Sequence, residues 1–342
     1  MDLAGLESRS PHRGEAERDA AAAIATAACA RDRTYSLVIP TKNGGPLFGQ
    51  VLDRLRSQSL WRQLEVIIVD SGSTDGTLEV AAKAGVSVYK VEPASFNHGA
   101  TRDYAISLAT NEVVVLMVQD ALPRDDRTIE RLVAAFDDPT VAGAYARQLP
   151  QPDADVLTKR NLNGWLTGRT TREVRQSSGS DWYEQLPAME RYLFCNFDNV
   201  CSAIRKSIWQ HERFGRIDFG EDIDWAERVL KRGYKIVYEP DAAVVHSHDR
   251  PLSYEYKRTY VCHRKLYRQF GLHLVPSRKG IGRAWLHSIG KDLAYVYHHE
   301  PHLRRRLGMT LKVPVLNLFG VYAQYRAVQD ELAGSENKVG GV

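Results

Sequence analysis

Long hydrophobic runs are missing from this sequence. No stretch approaches the ~20 consecutive apolar residues needed to cross a bilayer. Cysteine is scarce: Cys29, Cys195, Cys201 and Cys262 are the only four, with no CxxC pair and no metal-site spacing. That excludes a disulfide scaffold and a zinc module, and free thiols in a reducing compartment are the expectation. Two phosphate-binding signatures are absent as well. There is no GxGxxG after the first strand-like segment and no GxxxxGK[ST] anywhere, so neither a dinucleotide fingerprint nor a P-loop is supported. No internal repeat occurs, and a net charge of +4 is too small to argue for a nucleic-acid partner. The N-terminus lacks a basic-then-apolar signal pattern: Asp2 comes early and "AAAIATAACA" is rich in Ala rather than Leu. The expected location is cytoplasmic, with residues 1–32 a flexible or loosely helical leader.

What remains is an ordinary globular composition, 43% hydrophobic and 26% charged. The 342 residues suffice for one main domain with an appendage. From Tyr35 onward strands and helices alternate. "YSLVIP", "LEVIIVD", "VSVYKVE" and "EVVVLMVQD" read as strands. Leu47, Phe48, Val51, Leu52 and Leu55 recur at helical spacing over 46–57, and Ile129, Leu132, Val133 and Phe136 repeat the pattern. Further helices are expected over 77–84, with Thr74 or Asp75 as cap, over "GATRDYAISLA" and over 222–232. "VAGAYARQL", "YKIVYEP" and "AAVVHSH" add strands. Residues 153–190 are polar and irregular and read as a long loop or lid. This alternation predicts an α/β fold with a mostly parallel sheet covered by helices on both faces.

Ligands of such sheets gather at the carboxyl ends of the strands. Four features collect there. Asp70 ends the second strand and opens an Asp/Ser/Gly loop. Gln119 and Asp120 end the fourth strand in "LMVQDALP". "GEDIDWAER" places Glu221, Asp222 and Asp224 at a helix start, where the dipole favours carboxylates. His246 and His248 share one face if "VVHSH" is extended. Each has an ordinary structural counterpart; Asp224 and Arg228, for instance, are spaced as a helix-surface ion pair worth ~0.3–0.5 kcal/mol. Their conjunction is what points to a site.

Together "YSLVIPTKNG", "VIIVDSGSTDGT", "HGATRDYAISLAT", "VVVLMVQDALP" and "FGEDIDWAERVLKRGYKIVYEPDAAVVHSH" resemble glycosyltransferase family 2, with its GT-A fold, over about Tyr35 to Asp249. "FNHGATRD" with "QDALP" further resembles the bacterial rhamnosyltransferases that build O-antigen and related cell-surface polysaccharides. The resemblance implies a catalytic domain over 33–250. It also implies an inverting transfer, in one displacement, from a nucleotide-diphosphate sugar to a hydroxyl of a saccharide or lipid-linked acceptor. L-rhamnose on dTDP or UDP is the expected donor. Pro40, Thr41, Asn43, Asp70 and Ser71 would hold the nucleotide, although many relatives carry Asp at the position of Ser71. Arg102 would lie beside base and diphosphate, Asn97 and His98 would line the sugar pocket, and Gln119 would join the donor site. Asp103 stands where Asn is usual.

The family's metal motif is Asp-any-Asp, and here only Asp120 remains, with Val118 at the first position. A hard divalent cation, Mg2+ or Mn2+, would then be held by Asp120 with His246 or His248, donor oxygens and water supplying the rest. The alternative is a metal-independent variant in which Arg102 neutralises the leaving group. Asp222 matches the catalytic base, while Glu221, Asp224 and Trp225 would support the site or contact the acceptor. The rival class is a non-catalytic nucleotide-sugar-binding protein on the same scaffold, and a family 2 transferase of another sugar is also open. A nucleotidyltransferase would need a Gly-rich, Lys-containing phosphate loop, which is absent.

Past Pro251 the composition turns basic and aromatic, with 13 Lys or Arg against three acids over 251–312. Residues 251–342 are expected to be helical, with Trp285, Ile289, Leu293 and Val296 as one stripe and Leu286 and Tyr297 alongside. Two roles stay open: helices packed on the catalytic domain with a solvated basic face, or a peripheral surface for the anionic inner leaflet.

Overall fold

The computed structural model of the chain describes residues 33–248 and 250–335, so the expectations for the leader and Cys29 lie outside the described residues. One mixed sheet organises the molecule. Strands β1 (Tyr35–Thr41), β2 (Leu64–Asp70), β3 (Ser87–Lys90) and β4 (Val113–Met117) run parallel in the order β3-β2-β1-β4. Short strand β5 (Leu122–Pro123) follows. Beyond β4 the order continues through β8 (Cys201–Arg205), β6 (Val141–Leu149) and β9 (Lys235–Val245) to β5. β8 is antiparallel to both neighbours, whereas β6 and β9 are parallel to each other. β5 and β7 (Glu173–Gln176) both pair antiparallel with β9.

Helices cover both faces, so the central strands bury nearly every residue and read as continuous apolar runs. The period-2 alternation of a strand sorts these residues into two layers. Leu37, Ile39, Val115 and Met117 face α1 (Gly45–Arg56), whose Phe48, Val51, Leu52 and Leu55 are the buried stripe. Val38, Ile67, Val69, Val114 and Leu116 face the other layer, which contains Ala105 and Ile106 of α3 (His98–Leu108) and Trp225 and Val229 of α9 (Glu221–Lys231). Between them in sequence lie α2 (Thr77–Ala84), α4 (Thr128–Val133), and the elements of 150–211.

Three local expectations are corrected. The region 153–190 is not one long loop: it holds α5 (Val156–Gly164), β7, α6 (Ser180–Gln185) and the start of α7 (Ala188–Phe194). "YKIVYEP" and "AAVVHSH" form a single strand, because a register jump between Ala146 and Arg147 of β6 absorbs Pro240, which has no N–H to donate. Strand β8, followed by α8 (Lys206–His211), was not anticipated. Also, β4 ends at Met117, so Gln119 and Asp120 sit in the turn beyond it.

The C-terminal region is helical as expected: α10 (Leu252–Phe270), α11 (Arg278–His299) and α12 (Leu303–Leu332). α10 packs on α7 and α12, and α11 on α5 and α12. The Trp285-to-Val296 stripe faces inward: Trp285 donates its indole N–H to the Pro314 carbonyl at 2.8 Å, and Val296 is fully buried with Leu157, Met309 and Val313.

Candidate active site

The loops after β1 and β2 are stitched to each other. Asp70 Oδ1 accepts from the Gly72 and Ser73 N–H groups at 2.9 and 3.0 Å, and Oδ2 accepts from the hydroxyls of Thr41 (3.3 Å) and Ser73. Burial raises the Asp70 pKa, but these four donors outweigh it and hold the carboxyl below its ordinary value. Asn43, at φ 50°, donates its N–H to Ser73 Oγ and accepts the Thr74 N–H. Ser71 is buried and bonded back to the Thr41 carbonyl. Gln119 joins the network with both ends of its amide on the Lys42 backbone, at 2.9 and 3.1 Å. Pro40 and Thr41 close β1 beside this loop. Asp75, not Thr74, serves the start of α2, accepting from the Thr77 N–H and hydroxyl.

"FNHGATRD" forms the entry to α3. Asn97 is its N-cap: Oδ1 accepts the Ala100 N–H at 3.0 Å, and Nδ2 donates to Asp218. A Cβ on Gly99 would lie 2.1 Å from the Gly215 carbonyl oxygen, so only glycine lets the helix approach that loop. Asp103 accepts from the Trp209 indole and from the Phe214 and Gly215 N–H groups, which gives this residue an anchoring role. His98 stands half-buried with its ring edge-on to Phe96.

Asp120, His246 and His248 converge. β9 lies between β6 and β5, so the residue after Val245 meets the turn that precedes Leu122. The Nε2 atoms of the two imidazoles are 3.1 Å apart, and they lie 3.6 Å (His246) and 3.1 Å (His248) from the Asp120 oxygens. All three ligand atoms fall within 4.8 Å of one another. Burial drives the His246 pKa down to about 4, so the ring stays neutral with a lone pair available. For Asp120, burial raises the pKa, but the His248 hydrogen bond and the two imidazoles beside it bring it below its ordinary value. Two imidazole nitrogens and a carboxylate converging at this spacing fit a small divalent cation.

Two residues that the sequence reading missed orient this group. Gln148 donates its amide to Asp198 and thereby turns Oε1 toward His246 Nδ1 at 3.2 Å. That assigns the proton to Nδ1 and the lone pair to Nε2, the arrangement expected of a metal-binding histidine with its outer partner. Asp198 is within reach because β8 runs antiparallel to β4, which brings the start of β8 to the edge where β4 ends. The Val118 N–H donates to the Val200 carbonyl there.

The same turn reaches the second carboxylate group. Asn199 Nδ2 donates to Glu221 Oε1 at 3.2 Å, and Arg102 forms a buried ion pair with that oxygen at 2.8 Å. Beside it Asp222 begins α9 and accepts the Ile223 N–H at 2.8 Å. Burial, Glu221 and Asp198 push the Asp222 carboxyl up to about 8. Asp222 is not sealed, since one face remains partly exposed. Asp224 has both oxygens paired, with Arg228 at 3.1 Å and Lys265 at 3.0 Å, and so ties α9 to α10. Trp225 is fully buried against Phe197 and Phe214, which corrects any direct contact with an acceptor: it supports the site from the core.

A cleft of about 860 Å³ opens onto the histidine pair, walled by α5, α10 and α12. Gln148, Trp165, Tyr192, His246, His248 and Arg258 are among its lining residues. Tyr192, on the cleft wall, also feels the charge of Asp222, which itself does not line the cleft. Arg258 is exposed, has no acid partner among the described residues, and acts electrostatically on Asp198, Tyr192 and His246. Arg102 and Arg258 thus balance three carboxylates, Asp198, Glu221 and Asp222.

Comparison with known proteins agrees with this architecture. The family model described as Glycosyl transferase family 2 matches residues 36–211, ending before Asp222 and the two histidines. An O-antigen chain rhamnosyltransferase of Salmonella typhimurium is 31% identical over 232 residues, covering 66% of this chain and 70% of that protein. A second, from Salmonella anatum, is 29% identical over 252 residues, 70% of this chain and 76% of its own length. Among solved structures, a mannosyltransferase from Pyrobaculum calidifontis in complex with GDP-Man and Mn2+ superposes with a TM-score of 0.57 at 19% identity, over 90% of this chain and 89% of that one. At that identity the likeness speaks for the GT-A type of fold.

Proposed function

The chain belongs to glycosyltransferase family 2, and on that premise we propose that it is an inverting transferase that moves L-rhamnose from a dTDP- or UDP-linked donor to a hydroxyl of a saccharide or lipid-linked acceptor. The observation that carries the proposal is the Asp222 carboxyl, half-buried in the first turn of α9 between Glu221 and Asp198 and pushed up to about 8 by burial and those two carboxyls. An acceptor alcohol must lose its proton as it attacks, and a base works best when its pKa lies near the working pH. Burial and two neighbouring carboxylates give Asp222 that value. One base and an in-line alcohol suffice for inversion, and no carboxylate nucleophile is required.

Asp120, His246 and His248 would hold the metal, Mg2+ or Mn2+. Such an ion supplies positive charge where the departing diphosphate develops its negative charge. The chain's own residues prepare that place: Gln148 fixes the His246 tautomer, and Asp198 fixes Gln148. The interlocked β1 and β2 loops present a rigid floor for the nucleotide, with Pro40, Thr41, Asn43, Asp70 and Ser71 as its frame. Arg102, tied to Glu221 in a buried ion pair, orients the base's neighbour. Two rhamnosyltransferase relatives near 30% identity support the sugar.

The test is a panel of nucleotide sugars assayed for release of nucleoside diphosphate with and without Mn2+. Metal-stimulated turnover with dTDP- or UDP-rhamnose, lost in Asp222→Asn while donor-induced thermal stabilisation persists, is the expected result. Binding without turnover in the native chain favours the scaffold reading, and turnover with a different sugar reassigns the donor.

A further inference from the structure

The outer face of the α11–α12 pair is unlike the rest of the surface. Leu303, Leu307 and Leu311 are 66%, 56% and 78% exposed, and the stripe continues along α12 to Val315, beyond which the partly exposed Phe319 and Tyr322 lean on Tyr256 of α10. The four outer positions follow the i, i+4 ladder of one helix face over roughly 18 Å of axis. On α11, Leu286 and Tyr297 are exposed on the same helix face as Lys279 and Arg283. A contiguous apolar patch rimmed by charge marks an interaction surface rather than scattered exposure.

The charge is of one sign. Among residues 278–332 every exposed charged side chain is basic, while Asp292, Glu300, Asp330 and Glu331 are buried or half-buried. Of the exposed bases, Lys312 pairs with Asp155 and Arg326 with Asp330. Arg278, Lys279, Arg283, Lys291, Arg304 and Arg305 have no acid partner among the described residues. We propose that this face docks on an anionic lipid bilayer, with the leucine stripe entering the headgroup boundary and the six unpaired cations meeting lipid phosphates. A second copy of the chain is a poorer occupant. A two-fold interface would bring two copies of the same positively charged patch together, with no acids among its exposed side chains to offset them. No helix among the described residues is long and apolar enough to cross a membrane, so the contact is peripheral. α12 also contributes Lys312 and Leu316 to the wall of the active-site cleft, which would place that opening beside the lipid surface. The inference is independent of donor and acceptor identity.

The full chain is floated with vesicles of phosphatidylcholine alone and of phosphatidylcholine mixed with an equal part of phosphatidylglycerol. Binding is expected only to the anionic vesicles and should weaken as salt is raised. Arg304→Ala with Arg305→Ala should weaken it about fivefold per charge, and Leu307→Glu with Leu311→Glu should abolish it. All four side chains are exposed, so each variant is expected to keep the native melting temperature. No flotation, equal flotation with neutral vesicles, or variants that bind like the native chain would overturn the proposal. So would a concentration-dependent dimer in sedimentation that Leu311→Glu dissociates.

Discussion

Asp70 and Asp222 are both aspartates at the carboxyl edge of one sheet, and their surroundings act on them in opposite directions. Around Asp70 every acceptor position is used: two backbone N–H groups and two hydroxyls close on the carboxylate and stabilise its ionised form. Around Asp222 a single N–H, from Ile223, stands against two carboxylate neighbours, and the ionised form is disfavoured up to about pH 8. One region is satisfied and builds a rigid frame. The other keeps electrostatic conflict in reserve, and a group in conflict is one that can take a proton during a reaction. The difference arises from placement: Asp70 precedes a Gly-Ser turn that supplies donors, whereas Asp222 follows Glu221 and faces the turn bearing Asp198.

Four variants sharpen or break this contrast. Asp222→Asn removes the proposed base, and turnover should fall about 10²–10⁴-fold. Its stability should change in the opposite direction. A carboxyl raised in the folded state is ionised in the unfolded chain first, so it lowers stability increasingly from about pH 4 to about pH 8. Asp222→Asn should therefore melt higher than the native chain at pH 8.5, by calorimetry. Glu221→Gln leaves the buried Arg102 without its partner, a loss of about 3–5 kcal/mol. In the same variant one carboxylate that raises Asp222 is gone, so the acidic, rising limb of the pH–rate profile should move to lower pH. Gln148→Leu should weaken Mn2+ binding about 10–100-fold, read by electron paramagnetic resonance without any donor present. Asp70→Ala leaves loop donors unsatisfied and should cost about 1–3 kcal/mol, with the pH–rate limb unmoved. That Asp70 contribution is present above its unfolded pKa and is lost as pH falls through the lower folded one.

The frame was more legible in the sequence than the conflict. β1, β2 and β4 are covered on both faces and show as unbroken apolar runs, and α1 shows its four buried positions at helical spacing. Asp120, His246 and His248 could be named from strand ends, and the structure brings them together. Asp198, Asn199 and Gln148 could not. β8 is only five residues long, with Ser202 and Arg205 interrupting its apolar run, so its antiparallel insertion went unread, and with it the turn that carries the first two. Gln148 lies 50 residues from Asp198 and 98 from His246, a distance over which no local pattern operates. Residues 153–190 looked like loop because each short element there buries only one or two anchors, Leu157 and Tyr183 among them. In the basic appendage the charge was plain, but the stripe picked out was the one facing α12; the outward leucines of α12 emerge only when the packed face is known.

The central claim is that burial and acidic neighbours raise the Asp222 carboxyl above the ordinary aspartate range, so that its ionised form, the one able to act as a base, grows toward pH 8, and this can be read without knowing any substrate. The carboxyl-stretch infrared titration of the native chain minus Asp222→Asn isolates that one group. The account predicts a protonated carboxyl band that disappears with a midpoint near pH 8 and that shifts downward in Glu221→Gln. A midpoint at the ordinary aspartate value of ~3.9, unmoved by Glu221→Gln, would contradict it.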